Sequence, residues 1–132
     1  MKKSSLIILV VVLLIIGLLF VRFVIGGPED SWIKDKNGIY IKHGNPSEPP
    51  DYVLEQQRAI LQAQTFYDSA IAGGAILSSQ CLGSFGDYSF DIVNVPRTGE
   101  DNLPGNQCED YTQGLVHHFI ELDKYGNVVR IQ

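Results

Sequence analysis

Cysteine is scarce in this 132-residue chain: there are two, Cys81 and Cys108, and none earlier. A lipid-carrying amino-terminal cysteine is thereby excluded, and Lys2 after Met1, where a glycine is required, excludes N-myristoylation. Basic residues are also few. Ten Lys and Arg stand against fifteen Asp and Glu, a net charge of −5. Three of those ten, Lys2, Lys3 and Arg22, fall near the start, so from Gly27 onward seven basic residues face fifteen acidic ones, a net of −8. A domain of that sign does not attract phosphate backbones or anionic headgroups at long range, which sets nucleic acid aside as a partner. A cationic partner or metal ion stays open beside the plainer reading, that the charge keeps the domain soluble.

Motifs are missing as well. No repeat of 20 to 50 residues, glycine-serine tract or long run of one charge sign occurs. Asn45-Pro46-Ser47 imitates a glycosylation acceptor, but proline in the middle position disqualifies it. Gly83-x-x-Gly86 lacks the lysine and spacing of a phosphate loop, and Cys81-Leu82-Gly83-Ser84 resembles no nucleophile elbow. Adjacent acids such as Glu109-Asp110 support no glycosidase, since carboxylate separation in space decides that chemistry. No cofactor and no catalytic residue is expected.

What the chain has is a long apolar run. Leu6 to Ile25 is interrupted only by Gly17 and Arg22. Twenty residues at about 1.5 Å rise each cross the roughly 30 Å hydrocarbon layer of a bilayer. Arg22 lies near enough to one end for its guanidinium to reach the interface. Lys2 and Lys3 place the amino terminus in the cytoplasm and the rest outside it. The rival is a cleaved signal peptide; its apolar region runs about 7 to 15 residues, and this one is longer, which favours an anchor. The expected organisation is an anchor with a short cytoplasmic tail over residues 1–27, a hairpin and proline-rich linker over 28–50, and an extracytoplasmic domain over 51–132. Gly26, Gly27 and Pro28 break the membrane helix, and Glu29 and Asp30 begin the link.

In that compartment Cys81 and Cys108 are expected to be bonded. Closing about 28 residues contributes roughly 3 to 4 kcal/mol in the chain-entropy view. A reactive thiol or half of a metal site is the alternative, but the spacing fits no zinc set.

Trp32 to Lys34 and Ile39 to Lys42 flank Asn37-Gly38, which supplies the turn of a hairpin, with Trp32 or Tyr40 docking on the main domain or facing the membrane interface. Asp51 caps a helix from Tyr52 to Ala72 that Gly73-Gly74 ends. Val53, Ile60, Ala63, Tyr67 and Ile71 form its apolar stripe, which faces a sheet, or alternatively a partner's groove. Strands are expected at Ile76 to Leu82, at Tyr88 to Val93 as a half-buried antiparallel strand, at Leu115 to Leu122 and at Val128 to Ile131. The fold class is α+β: a transmembrane helix, then one long helix packed on an antiparallel sheet of about four strands, plus the small hairpin.

Pro96 to Gly114 has little periodicity, and loops of that length are usually functional or mobile. Its Glu100, Asp101, Asn102, Asn106, Glu109 and Asp110 offer oxygens for a ligand or calcium, without any Asp-x-Asp-x-Asp-Gly pattern. His117 and His118 point to opposite faces of a strand and form no ligand pair. His118, on the more apolar face, is expected to be buried and hydrogen-bonded, or else to act as a pH-sensitive group.

Trp32 to Ser47, with Lys34, Gly38, Tyr40 and the string His43 to Ser47, resembles a segment of short, single-span exported proteins, mainly archaeal; these carry no catalytic assignment, so the resemblance implies a location. A helix followed by a meander is also similar to the cystatin and PepSY style of fold, which implies binding or inhibition of proteins outside the cell; the Gln-x-Val-x-Gly loop of cystatins is absent. Together these describe a membrane-anchored binding or accessory module contacting an envelope protein or small ligand through its loops. A structural subunit of an envelope assembly and a hydrolase are the alternatives.

Overall fold

The structure, a computed structural model, describes residues 3–25 and 30–132. The Gly26-Gly27-Pro28 stop, Glu29 and Lys2 lie outside the described residues. Two compact units divide the chain, Met1–Ile33 with Ile41–Pro50 and Lys34–Tyr40 with Asp51–Gln132.

The first unit contains helix α1, Lys3–Phe20, whose side chains are all exposed, followed by a π-helical turn, Val21–Ile25. Together they form one helix long and apolar enough to cross a membrane. Arg22 pairs with Asp30 at 2.7 Å, and the Asp30 side chain is buried. Strands β1, Ser31–Lys34, and β2, Tyr40–His43, make the hairpin, with Lys42 lying over the Trp32 ring.

The hairpin's tip belongs to the second unit. Gly38 adopts φ +84° and donates its N–H to Asp35 O at 3.0 Å, so the turn spans Asp35 to Gly38 and Gly38 rather than Asn37 takes the left-handed conformation. Helix α2, Asp51–Ala72, reaches up to it with a residue outside the expected stripe: buried Gln56 accepts the Tyr40 N–H at 2.8 Å and donates to Gly38 O at 2.9 Å. Tyr40 also packs against Tyr52 with the ring centres 4.9 Å apart and the planes tilted by 58°, so Tyr40 docks on α2. Gly74, at φ +78°, and Ala75 donate to the carbonyls of Ile71 and Ala70, closing α2 in a Schellman arrangement.

Strands β3, Gln80–Phe85, β4, Tyr88–Ile92, β5, His118–Leu122, and β6, Val128–Ile131, form one sheet in the order β3-β4-β5-β6. Ala59 and Ala63 let α2 come close to Phe90, Ile92, Ile120, Leu122 and Ile131, and Phe66 meets Phe90 edge-on at 5.3 Å. Near the helix's end the stripe fails, and Ile71 is exposed. The first sheet strand starts at Gln80 rather than Ile76, which is solvent-exposed; it runs on to Phe85 because Gly83, at φ +142°, forms a bulge where any Cβ would strike the Phe66 ring.

The α+β class holds, with one difference in the sheet: β4 and β5 are parallel. Parallel neighbours need a crossover of a dozen or more residues, and residues 93–117 provide it. The segment carries two 3₁₀ turns, Gly99–Asn102 and Pro104–Asn106, and a short helix α3, Glu109–Thr112. It covers the sheet face opposite α2, so β4 is buried on both sides rather than one. Leu115 is exposed, because the chain is still leaving α3 there and strand β5 starts only at His118.

Candidate functional site

The face under the crossover carries Ser89 and Asp91 from β4 and Phe119 and Glu121 from β5, all buried. Asp91 and Glu121 are register partners, so the period-two alternation of both strands sets two acids side by side. Glu121 is neutralised by Arg97, at 2.7 Å from Oε1, and by Arg130, which donates to Oε2 at 2.9 Å and to Oε1 at 3.1 Å. Arg130 also lies over the Phe119 ring, 4.7 Å from its centre, and Phe119 meets Tyr111 of α3 edge-on.

Asp91 has fewer partners. Its Oδ1 accepts the Cys108 N–H at 3.2 Å. Burial pushes its carboxyl up to about 6, with Glu121 adding to the rise and the Cys108 amide and Arg97 opposing it. A cavity of about 270 Å³ opens beside these groups, lined among others by Asp91, Glu121, Arg97, Arg130 and Tyr111. It offers a poised acid, two guanidinium groups and an aromatic wall, which suits a small polar solute.

Of the six loop residues expected to share a site, Asp101, Asn102 and Asn106 line this cavity, whereas Glu100, Glu109 and Asp110 do not. Asp101 is already occupied: its oxygens accept the N–H groups of Asn94 and Thr98 at 2.9 and 2.7 Å. Burial pushes Asp101 up, but these donors and the hydroxyls of Ser79 and Thr98 outweigh it and hold the carboxyl below its ordinary range. Asn102 receives Arg97 at 3.0 Å, Asn106 donates to Glu100 O, and Glu109 accepts from Gln113 within α3. Among the described residues, no three carboxylates of the loop converge as a calcium set would. The loop's acids build the crossover instead.

His118 is exposed, contrary to expectation. It opens β5, beyond the cover of α2, and stacks on Tyr88 at 4.9 Å. Both histidines turn to Asp87 in the β3–β4 turn: His117 Nδ1 lies 2.8 Å from Oδ1 and His118 Nε2 3.8 Å from Oδ2. The His117 ring and amide hold the Asp87 carboxyl below its usual range.

Cys81 and Cys108 are disulfide-bonded, Cα atoms 4.8 Å apart, tying the crossover to edge strand β3. The bond fits an extracytoplasmic domain, and the apolar helix fits either an anchor or a signal sequence. Asp91, Arg97, Glu121 and Arg130 were missed by sequence reasoning; the available signal was a charged residue at an alternating position in each of three apolar strands, Asp91, Glu121 and Arg130. Comparison with protein-family models, curated proteins and solved structures found no match to this chain.

Proposed function

We propose that this chain is a membrane-anchored extracytoplasmic module that binds a small polar ligand or a polar segment of another envelope protein, without catalysis of its own. The cavity under the crossover carries this reading, because it combines a buried carboxyl of raised affinity for protons with fixed guanidinium groups in one open pocket. The fully exposed apolar helix and the disulfide support the membrane and the outer compartment.

Protease treatment of intact cells, followed by carbonate extraction and crosslinking of native membranes, tests the reading. The domain should be cut from outside, the remnant should stay with the membrane, and crosslinks should define a discrete small complex. A domain protected from protease, or free thiols at both cysteines in the native protein, overturns it.

A further inference from the structure

The binding role makes no use of the close placement of one buried acid and the disulfide. Cys81 is exposed on β3, whereas Cys108 is 1% exposed. Both sulfurs and one Asp91 carboxylate oxygen lie within 4.8 Å of one another, and the Cys108 amide holds that carboxylate in place. Cys108 Sγ sits 3.3 Å from Phe90 O and 3.4 Å from Gly83 O. A thiolate formed there would be buried against two carbonyl oxygens, so that sulfur departs readily only when it receives a proton.

We propose that the Cys81–Cys108 disulfide exchanges with an external dithiol, which attacks the sulfur of the exposed residue Cys81 while the Asp91 carboxyl protonates the departing Cys108 sulfur. In the first step the attacking thiolate bonds to Cys81 Sγ and the Cys81–Cys108 bond breaks. Its electron pair passes to Cys108 Sγ, which takes the Asp91 proton and leaves a carboxylate. In the second step the remaining thiolate of the dithiol attacks its own sulfur in the mixed disulfide, closing a cyclic disulfide, and Cys81 Sγ leaves with the electron pair and takes a proton from water. The dithiol is oxidised by two electrons and the two cysteines are reduced to thiols, one equivalent per chain. Exchange thus cuts the covalent tie between the crossover above the cavity and β3.

Asp91 can hold the proton because of what faces it. Glu121 stands opposite on β5, and its two arginines, Arg97 from the crossover and Arg130 from β6, are committed to it. Asp101 and Tyr111 complete the charged and titratable surroundings of the cavity. Burial does the rest, raising the carboxyl to about 6.

The test uses the full-length protein in detergent micelles with dithiothreitol, reading thiol release by alkylation and mass at pH 5 to 8 and dividing each rate by the dithiothreitol thiolate concentration. The wild-type normalised rate should fall about tenfold per pH unit above the Asp91 titration, as loss of a general acid dictates. Asp91→Asn should show a flat profile, about tenfold or more below wild type at pH 5.5. Superimposable wild-type and variant profiles overturn the proposal, as does a native bond that resists excess dithiothreitol throughout the range. If Asp91→Asn does not fold, the wild-type profile decides alone, and a flat one overturns the proposal.

Discussion

Asp91 and Glu121 face each other across the parallel pair β4 and β5, and the two arginines of that face, Arg97 and Arg130, both bind Glu121. This uneven sharing sets the electrostatics of the cavity. It also makes Asp91 a group whose charge works against the fold.

Asp91→Asn should stabilise the protein at neutral pH. The folded-state value of about 6 lies above the ordinary 3.8, so the folded chain binds more protons between those values and its stability falls as pH climbs from 3.8 through 6. Asparagine keeps an acceptor for the Cys108 amide and carries no charge. Urea denaturation at pH 7.5 should show a gain of up to about 3 kcal/mol, at 1.36 kcal/mol per unit, that disappears near pH 3.5. A gain equal at both pH values would contradict the assignment.

Arg130→Met should keep the packing over Phe119 while removing two of the hydrogen bonds to Glu121. Leaving a buried carboxylate short of a partner costs about 2 to 4 kcal/mol. Adding Glu121→Gln should recover part of that loss, and a double-mutant cycle measured by denaturation checks it; additive losses would show that the pair is not coupled.

Gln56→Leu should loosen the hairpin tip. The variant loses both bonds to Tyr40 and Gly38, at a cost of about 1 to 3 kcal/mol. Native-state hydrogen exchange should show the Tyr40 amide losing protection while amides of β4 and β5 keep theirs.

Replacing both cysteines by serine should cost about 3 to 4 kcal/mol of stability, the loop-closure term for this ring size. Faster hydrogen exchange in residues 93–117 than in α2 would localise the effect to the crossover. An unchanged melting temperature would rule out a stabilising bond.

Local chemistry carried much of the architecture into the sequence. Gly38 and Gly74 marked the hairpin turn and the end of α2, because the positive φ that each adopts favours glycine. Strand direction was hidden, because whether β5 runs with or against β4 depends on where residues 93–117 cross, and no local signal records that path. The same crossover explains the misreading of Ser89 and Asp91: polar side chains at alternate positions suggest a solvated face, yet the segment buries them. His118 shares the apolar face of Ile120 and Leu122 but sits past the helix's reach. Asp101, Asn102 and Asn106 were legible as loop oxygens, whereas their role in holding Arg97 and shaping the crossover arises only from the folded path.

The Ile131 N–H on the outer rim of β6 is taken by Asn37 O at 2.7 Å, and a Cβ at Gly38 would collide with the Ile131 carbonyl. An incoming strand from a neighbouring chain therefore finds that rim occupied. The capped position is Ile131, so the edge-to-edge pairing that open strand rims invite is hindered at that end of β6.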